Sequence, residues 1–183
     1  MRLTHLLAIG IVALLPLLAT AEDKPAETPF AIGEGKLALT APAGWKKVQP
    51  KSRIIEAEFE IPAAKDDEIA GRLTAMGAGG TVEANIERWA AQFTGEGVKP
   101  KVEKKTIGGS EVHVVDLAGT YKDTPGGPFA GGKTTLREDW RMLGAIIVTK
   151  DAGSYFLKLY GPKATITENE KAFTALVDSL TVK

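Results

Sequence analysis

Gly127-Pro128-Phe129-Ala130-Gly131-Gly132-Lys133-Thr134 satisfies the phosphate-loop pattern G-x-x-x-x-G-K-[ST] letter for letter. In such a loop a buried strand delivers the glycines, and the N–H groups of a following helix hold the phosphates beside the lysine. Neither flank fits. The polar residues 121–125 come before it, and residues 135–140 lead into a strand pattern. The segment is therefore read as part of a glycine-rich connection over residues 123–135, and no nucleotide is assigned to it. His113 is the next candidate, with Ser110 and Asp116 nearby. A hydrolase triad needs its three groups to converge in space, whereas residues three apart on a strand point to opposite faces. His113 and Asp116 are thus expected on different sides.

Carboxylates could work without histidine, since a pair of them suffices for glycoside hydrolysis. Glu56, Glu58 and Glu60 alternate along one strand face and are expected to form a solvated stripe. Asp66-Asp67-Glu68 lacks the ligand spacing of a calcium loop and reads as a turn. Trp89 falls on an apolar helical stripe and is assigned to the core, while Trp45 and Trp140 lie beside Pro/Gly-rich turns. Lys99, Lys101, Lys104 and Lys105 read as a solvated strand edge that discourages edge-to-edge pairing. No catalytic, cofactor-binding or metal-ligating residue is assigned.

The 183 residues contain no cysteine and two histidines. That removes disulfides, thiol catalysis, thiolate zinc sites and a cysteine lipid anchor. Lys and Arg together number 23, as do Asp and Glu, so no basic excess points to nucleic acid. The chain opens with Arg2, an uncharged apolar run over residues 6–18, then Ala19-Thr20-Ala21 and Glu22-Asp23. Positive, apolar, small and then acidic is the order of a cleavable secretory signal peptide over residues 1–21, and the apolar run is too short to span a membrane. Residues 22–35 are expected to be a flexible leader and 36–183 a single domain. Cleavage would remove His5, leaving His113 as the lone imidazole.

The elements must then position what remains. Residues 36–42 alternate as a half-buried strand. Over residues 53–62, Ile55, Ala57, Phe59 and Ile61 face one way. Another strand is expected near residues 69–76. Thr81 caps a helix of about three turns bearing Val82, Ile86, Trp89 and Phe93, stopped by Gly95. Residues 101–107 and 111–122 form a hairpin about Gly108-Gly109-Ser110. The continuous apolar run over residues 142–148 predicts a strand covered on both faces, followed by another over 154–160. Thr167 and Glu170 fit a capping box ahead of a closing helix that buries Phe173, Leu176, Val177 and Leu180. Without βαβ alternation, these elements predict an α+β domain, a largely antiparallel sheet flanked by helices.

Ala41-Pro42 with Gly44-Trp45, Arg88-Trp89 on the central helix, and the closing YFLKLYGP run with Phe173 and Leu176 to Leu180 resemble the PsbP/Mog1-like superfamily. More narrowly, they resemble uncharacterised exported bacterial proteins of that fold. The resemblance implies an α/β/α sandwich and brings no catalytic residue with it. The expected function is a non-catalytic, exported binding or accessory module in the periplasm or outside the cell. Its partner would be a protein or an envelope component, met through a sheet edge or the 123–135 loop, with no stable membrane anchor after cleavage. The alternative is a carboxylate-based hydrolase of an envelope or extracellular polymer near that loop.

Overall fold

A computed structural model describes residues 26–124 and 132–183. The export signal and most of the phosphate-loop match lie outside the described residues. The chain runs β1 (Thr28–Ile32), β2 (Leu37–Ala41), β3 (Lys46–Val48), β4 (Ala57–Ile61), β5 (Gly71–Ala78), α1 (Val82–Ala90) and β6 (Phe93–Thr94). It continues with β7 (Lys101–Ile107), β8 (Ser110–Asp123), β9 (Thr135–Val148), β10 (Ser154–Pro162), α2 (Lys163–Glu168), α3 (Glu170–Asp178) and β11 (Thr181–Val182). Every strand pairing among them is antiparallel.

The main sheet has the order β3-β4-β5-β10-β9-β8-β6, and β7 pairs with the other end of β8. A small sheet, β1-β2-β11, lies apart from it. One face of the main sheet packs against α2, α3 and the small sheet through Phe59, Leu73, Ala145, Leu157, Phe173 and Leu176. The other face meets α1 through Trp89, Val115, Met142, Ile146 and Phe156. Two covers explain why residues 142–147 of β9 are buried without alternation, although the sheet is antiparallel.

Local chemistry accounts for much of this. The Thr81 hydroxyl accepts the Ala84 N–H at 3.2 Å, as the cap predicts. On β9, a Cβ at Gly144 would collide with the Trp89 ring, so glycine lets α1 approach the sheet. Gly71 and Gly161 make a similar hollow for Ile166 of α2.

The structure departs from expectation in four places. β1 lies inside the stretch read as a leader: Phe30 and Ile32 are buried, and Phe30 packs on Phe59 with ring centroids 5.0 Å apart. The ordered chain therefore begins before Lys36, because two alternating apolar residues in a polar context are enough to add a strand. Glu58 is not solvated; it is 2 % exposed. The central helix ends at Ala90, and Phe93 is buried from β6 instead. Finally, the Thr167–Glu170 capping box does not form. The Thr167 hydroxyl donates back to the Lys163 carbonyl at 2.6 Å, and the helix divides at Asn169. Asn169 is held there because its Oδ1 accepts the Trp45 indole N–H at 2.9 Å while its Nδ2 donates to the Thr165 carbonyl.

Candidate functional site

Alternation along the strands sends Glu58 of β4, Arg72, Thr74 and Met76 of β5, and Phe156, Lys158 and Tyr160 of β10 to the α1 face. The register places Thr74 opposite both Glu58 and Lys158, and Arg72 opposite Tyr160. α1 covers the Phe156 end of this face, with Trp89 edge-on to the Phe156 ring at 5.0 Å. The other end stays open as a cleft of about 470 Å³. Lys51, Ser52, Ile54 and Ile55 form one wall; Asp123 and Thr124 form the other, with Gln92 just past the end of α1.

Two cations lie on its floor, and their environments differ. Arg72 is matched by Glu58 in a two-point pair, Nε to Oε1 at 2.8 Å and Nη2 to Oε2 at 3.1 Å. Its Nη1 donates to the Tyr160 hydroxyl at 2.6 Å. Burial pushes the Glu58 carboxyl up, but hydrogen bonds from Arg72 and the Lys51 N–H, with the positive charge of both residues, hold it below its ordinary range. Glu58 is an ionised structural partner, the opposite of a general acid.

Lys158 is 7 % exposed and takes part in no ion pair among the described residues. Its ammonium donates to Gln92 Oε1 and, at 3.4 Å, to the Tyr121 hydroxyl. It lies 4.7 Å from the Tyr160 ring centre and 5.2 Å from that of Tyr121, within cation–π range. Burial, then the charge of Arg72, pull this lysine down to about 7. Both tyrosines are shifted upward, chiefly by burial, so they remain neutral phenols. Behind them Trp140 stacks on Tyr121 at 5.3 Å with the planes 2° apart. The site therefore offers one unmatched buried amine, aromatic walls and neutral hydroxyl groups.

The residues singled out from sequence fall elsewhere, apart from Glu58, Trp140 and the start of the 123–135 loop. Lys133 and Thr134 are exposed, and the strand β9 follows them where a phosphate loop requires a helix. His113 Nε2 lies 2.6 Å from Glu111 Oε1. Asp116 turns to the opposite face, as expected, and accepts two hydrogen bonds from Arg141, each 2.9 Å. Arg141 also reaches Glu170 at 2.8 Å, tying α3 to the sheet. Asp67 accepts from the Thr165 N–H at 2.9 Å and from its hydroxyl at 2.6 Å, a tertiary clamp onto α2. Trp45, Trp89 and Trp140 are all buried. Lys104 pairs with Glu111 at 2.5 Å, and Lys105 lies 3.5 Å from Glu103. No trio of His, Cys, Asp or Glu that could hold a metal occurs among the described residues.

The sequence reading missed Lys158, Arg72, Tyr121, Tyr160 and Gln92. One signal was available. Lys158 interrupts the apolar run Tyr155-Phe156-Leu157-Lys158-Leu159-Tyr160 on a strand flanked by buried neighbours, where a lysine is rarely left without a reason.

No family model matches the chain, and no curated protein matches it in sequence. Solved structures do match. The solution structure of cyanobacterial PsbP (CyanoP) from Synechocystis sp. PCC 6803 aligns with a TM-score of 0.55 at 12 % identity, over 92 % of this chain and 99 % of that one. The crystal structure of LpqN, involved in cell envelope biogenesis of Mycobacterium tuberculosis, aligns with a TM-score of 0.53 at 14 % identity, over 86 % and 91 %. At such identities the likeness speaks to architecture alone. The chain carries a PsbP/Mog1-like α+β fold, with the Lys158 cleft on the sheet face beside α1.

Proposed function

We propose that the protein is an exported, non-catalytic binding module whose ligand enters the Lys158 cleft. The carrying observation is the cleft itself: an aromatic-walled hollow of about 470 Å³ with a buried amine on its floor that has no carboxylate partner among the described residues. That volume lies within the usual range of small-molecule sites, which combine apolar walls with a few placed polar groups. Export rests on the residue order over positions 1–23, and no described helix is long and apolar enough to cross a membrane. An envelope role accords with LpqN, a structural neighbour involved in cell envelope biogenesis. Asp123 and Thr124, where the glycine-rich connection begins, stand at the cleft wall. The hydrolase alternative gains nothing here, because Glu58 is committed to Arg72 and Asp123 lies 3.3 Å from Arg137.

The test is chemical-shift mapping by NMR on the exported protein with a library of small fragments of charge −1, 0 and +1. Perturbations should converge on the amides of Thr74, Met76, Tyr121 and Tyr160, and Ser52→Trp at the mouth should abolish them. Fragments that gather on another surface, or none that binds the cleft, would refute the reading.

A further inference from the structure

We propose that the cleft is selective for a small monocarboxylate with a flat apolar body, its carboxylate seated on the Lys158 ammonium and its body against the Tyr121 and Tyr160 rings. The inference rests on the cleft being a binding site and adds the chemistry of what it binds. Charge counting leads to it. Among the groups facing Lys158, Arg72 on β5 is neutralised by Glu58 on β4, and the phenols of Tyr121 on β8 and Tyr160 on β10 are uncharged. Asp123, at the mouth, lies 3.3 Å from Arg137, and Lys51 opposite it adds positive charge. Gln92 supplies a neutral oxygen only. Among the described residues the protonated Lys158 is therefore one buried positive charge without a counter-charge, which favours a ligand carrying one negative charge; a dianion would leave one of its own unmet.

Ligand shape follows from the walls. Tyr121 is backed by Trp140 and meets Tyr160 at 5.5 Å, and both tyrosines line the cleft beside the amine. Ile54, 70 % exposed, adds an apolar lip at the mouth. An ammonium has three donors, and Gln92 with the long contact to Tyr121 leaves one for the entering carboxylate. Because burial has drawn the free lysine down to about 7, an anion that restores the ammonium must bring in a proton above that pH.

Calorimetry with benzoate, benzamide and benzylamine, a set of one shape and three charges, tests this on the exported protein. Benzoate is expected to bind at least about tenfold more tightly than benzamide, and benzylammonium most weakly. Between pH 7.5 and 8.5 benzoate affinity should fall by about tenfold, with proton uptake visible as a heat that depends on the buffer. Lys158→Met should bind benzoate no better than benzamide, while Lys158→Arg should keep the preference and lose the pH dependence. The wild-type series decides the matter even if a variant fails to fold. Equal binding of benzoate and benzamide, or a preference that survives in Lys158→Met, overturns the inference while leaving the cleft as a binding site. If no member of the set binds in the cleft and the fragment mapping also finds nothing there, both readings fall.

Discussion

Lys158 occupies β10 between Leu157 and Leu159, two side chains with no exposure, and alternation alone would bury it on the opposite face. An ammonium there loses its water shell, and cation–π contacts with two tyrosines recover only part of that loss. In the unfolded chain the same lysine keeps its ordinary high pKa. Between about pH 7 and that value, the unfolded chain thus holds a proton that the folded chain has released. Stability must rise with pH across this window, and below about pH 7 the full cost of the buried charge is present. Lys158→Met is accordingly expected to stabilise the protein by roughly 1–4 kcal/mol at pH 6, with the gain shrinking as pH climbs above 7. Urea denaturation at a series of pH values measures it; a variant less stable than wild type at pH 6 contradicts the account. Glu58 shows the converse case, a buried charge made tolerable by a two-point partner.

Among the elements, α1 decides how much of the sheet is left open. It is short, capped by Thr81, and seated by one indole lying on one glycine, Trp89 on Gly144. Gly144→Ala is expected to push the helix off β9 and to cost about 1–3 kcal/mol, since a packed face accommodates an added methyl poorly. A lowered melting temperature, with a red shift of tryptophan emission, would report the displacement. The α2–α3 break acts similarly on the other face, where Asn169 trades a continuous helix for the Trp45 hydrogen bond. The edge strand β7 carries Lys101, Lys104 and Lys105 and, among the described residues, pairs only with β8, and its lysines suit the role of keeping other strands away.

For the whole molecule, the three layers depend on strands from both ends of the described chain. β1 pairs with β2, and β11 pairs with β2 from the other side, so the two ends close one small sheet over the main core. A chain starting at Lys36 would lack Phe30 and Ile32, leaving Phe59 and Leu39 uncovered. At about 1.5–3 kcal/mol for each buried side chain, the loss should reach roughly 3–6 kcal/mol. Comparing thermal unfolding of the 22–183 and 36–183 forms tests this. Equal stability would show that β1 contributes nothing.

By itself the sequence determined the features whose causes are local. The Thr81 cap, the hairpin at Gly108-Gly109, the doubly buried run of β9 and the longer strands were legible, because helical and strand periodicities and turn chemistry act over a few residues, whereas the short strands β1, β3, β6 and β11 carry too little pattern to be read. The resemblance carried by Gly44-Trp45 and the closing YFLKLYGP run pointed to the same layered architecture. Only the tertiary structure decided the cleft. Lys158 meets Gln92 across 66 positions and Arg72 meets Tyr160 across 88, distances in sequence that only sheet order and register can close. The same register reversed the reading of Glu58: its alternation with Glu56 and Glu60 was visible, but not that Arg72 would stand beside it. A charged side chain's environment is set by its neighbours on other strands, and so the unusual electrostatics of the Lys158 cleft appeared only once the strands were paired.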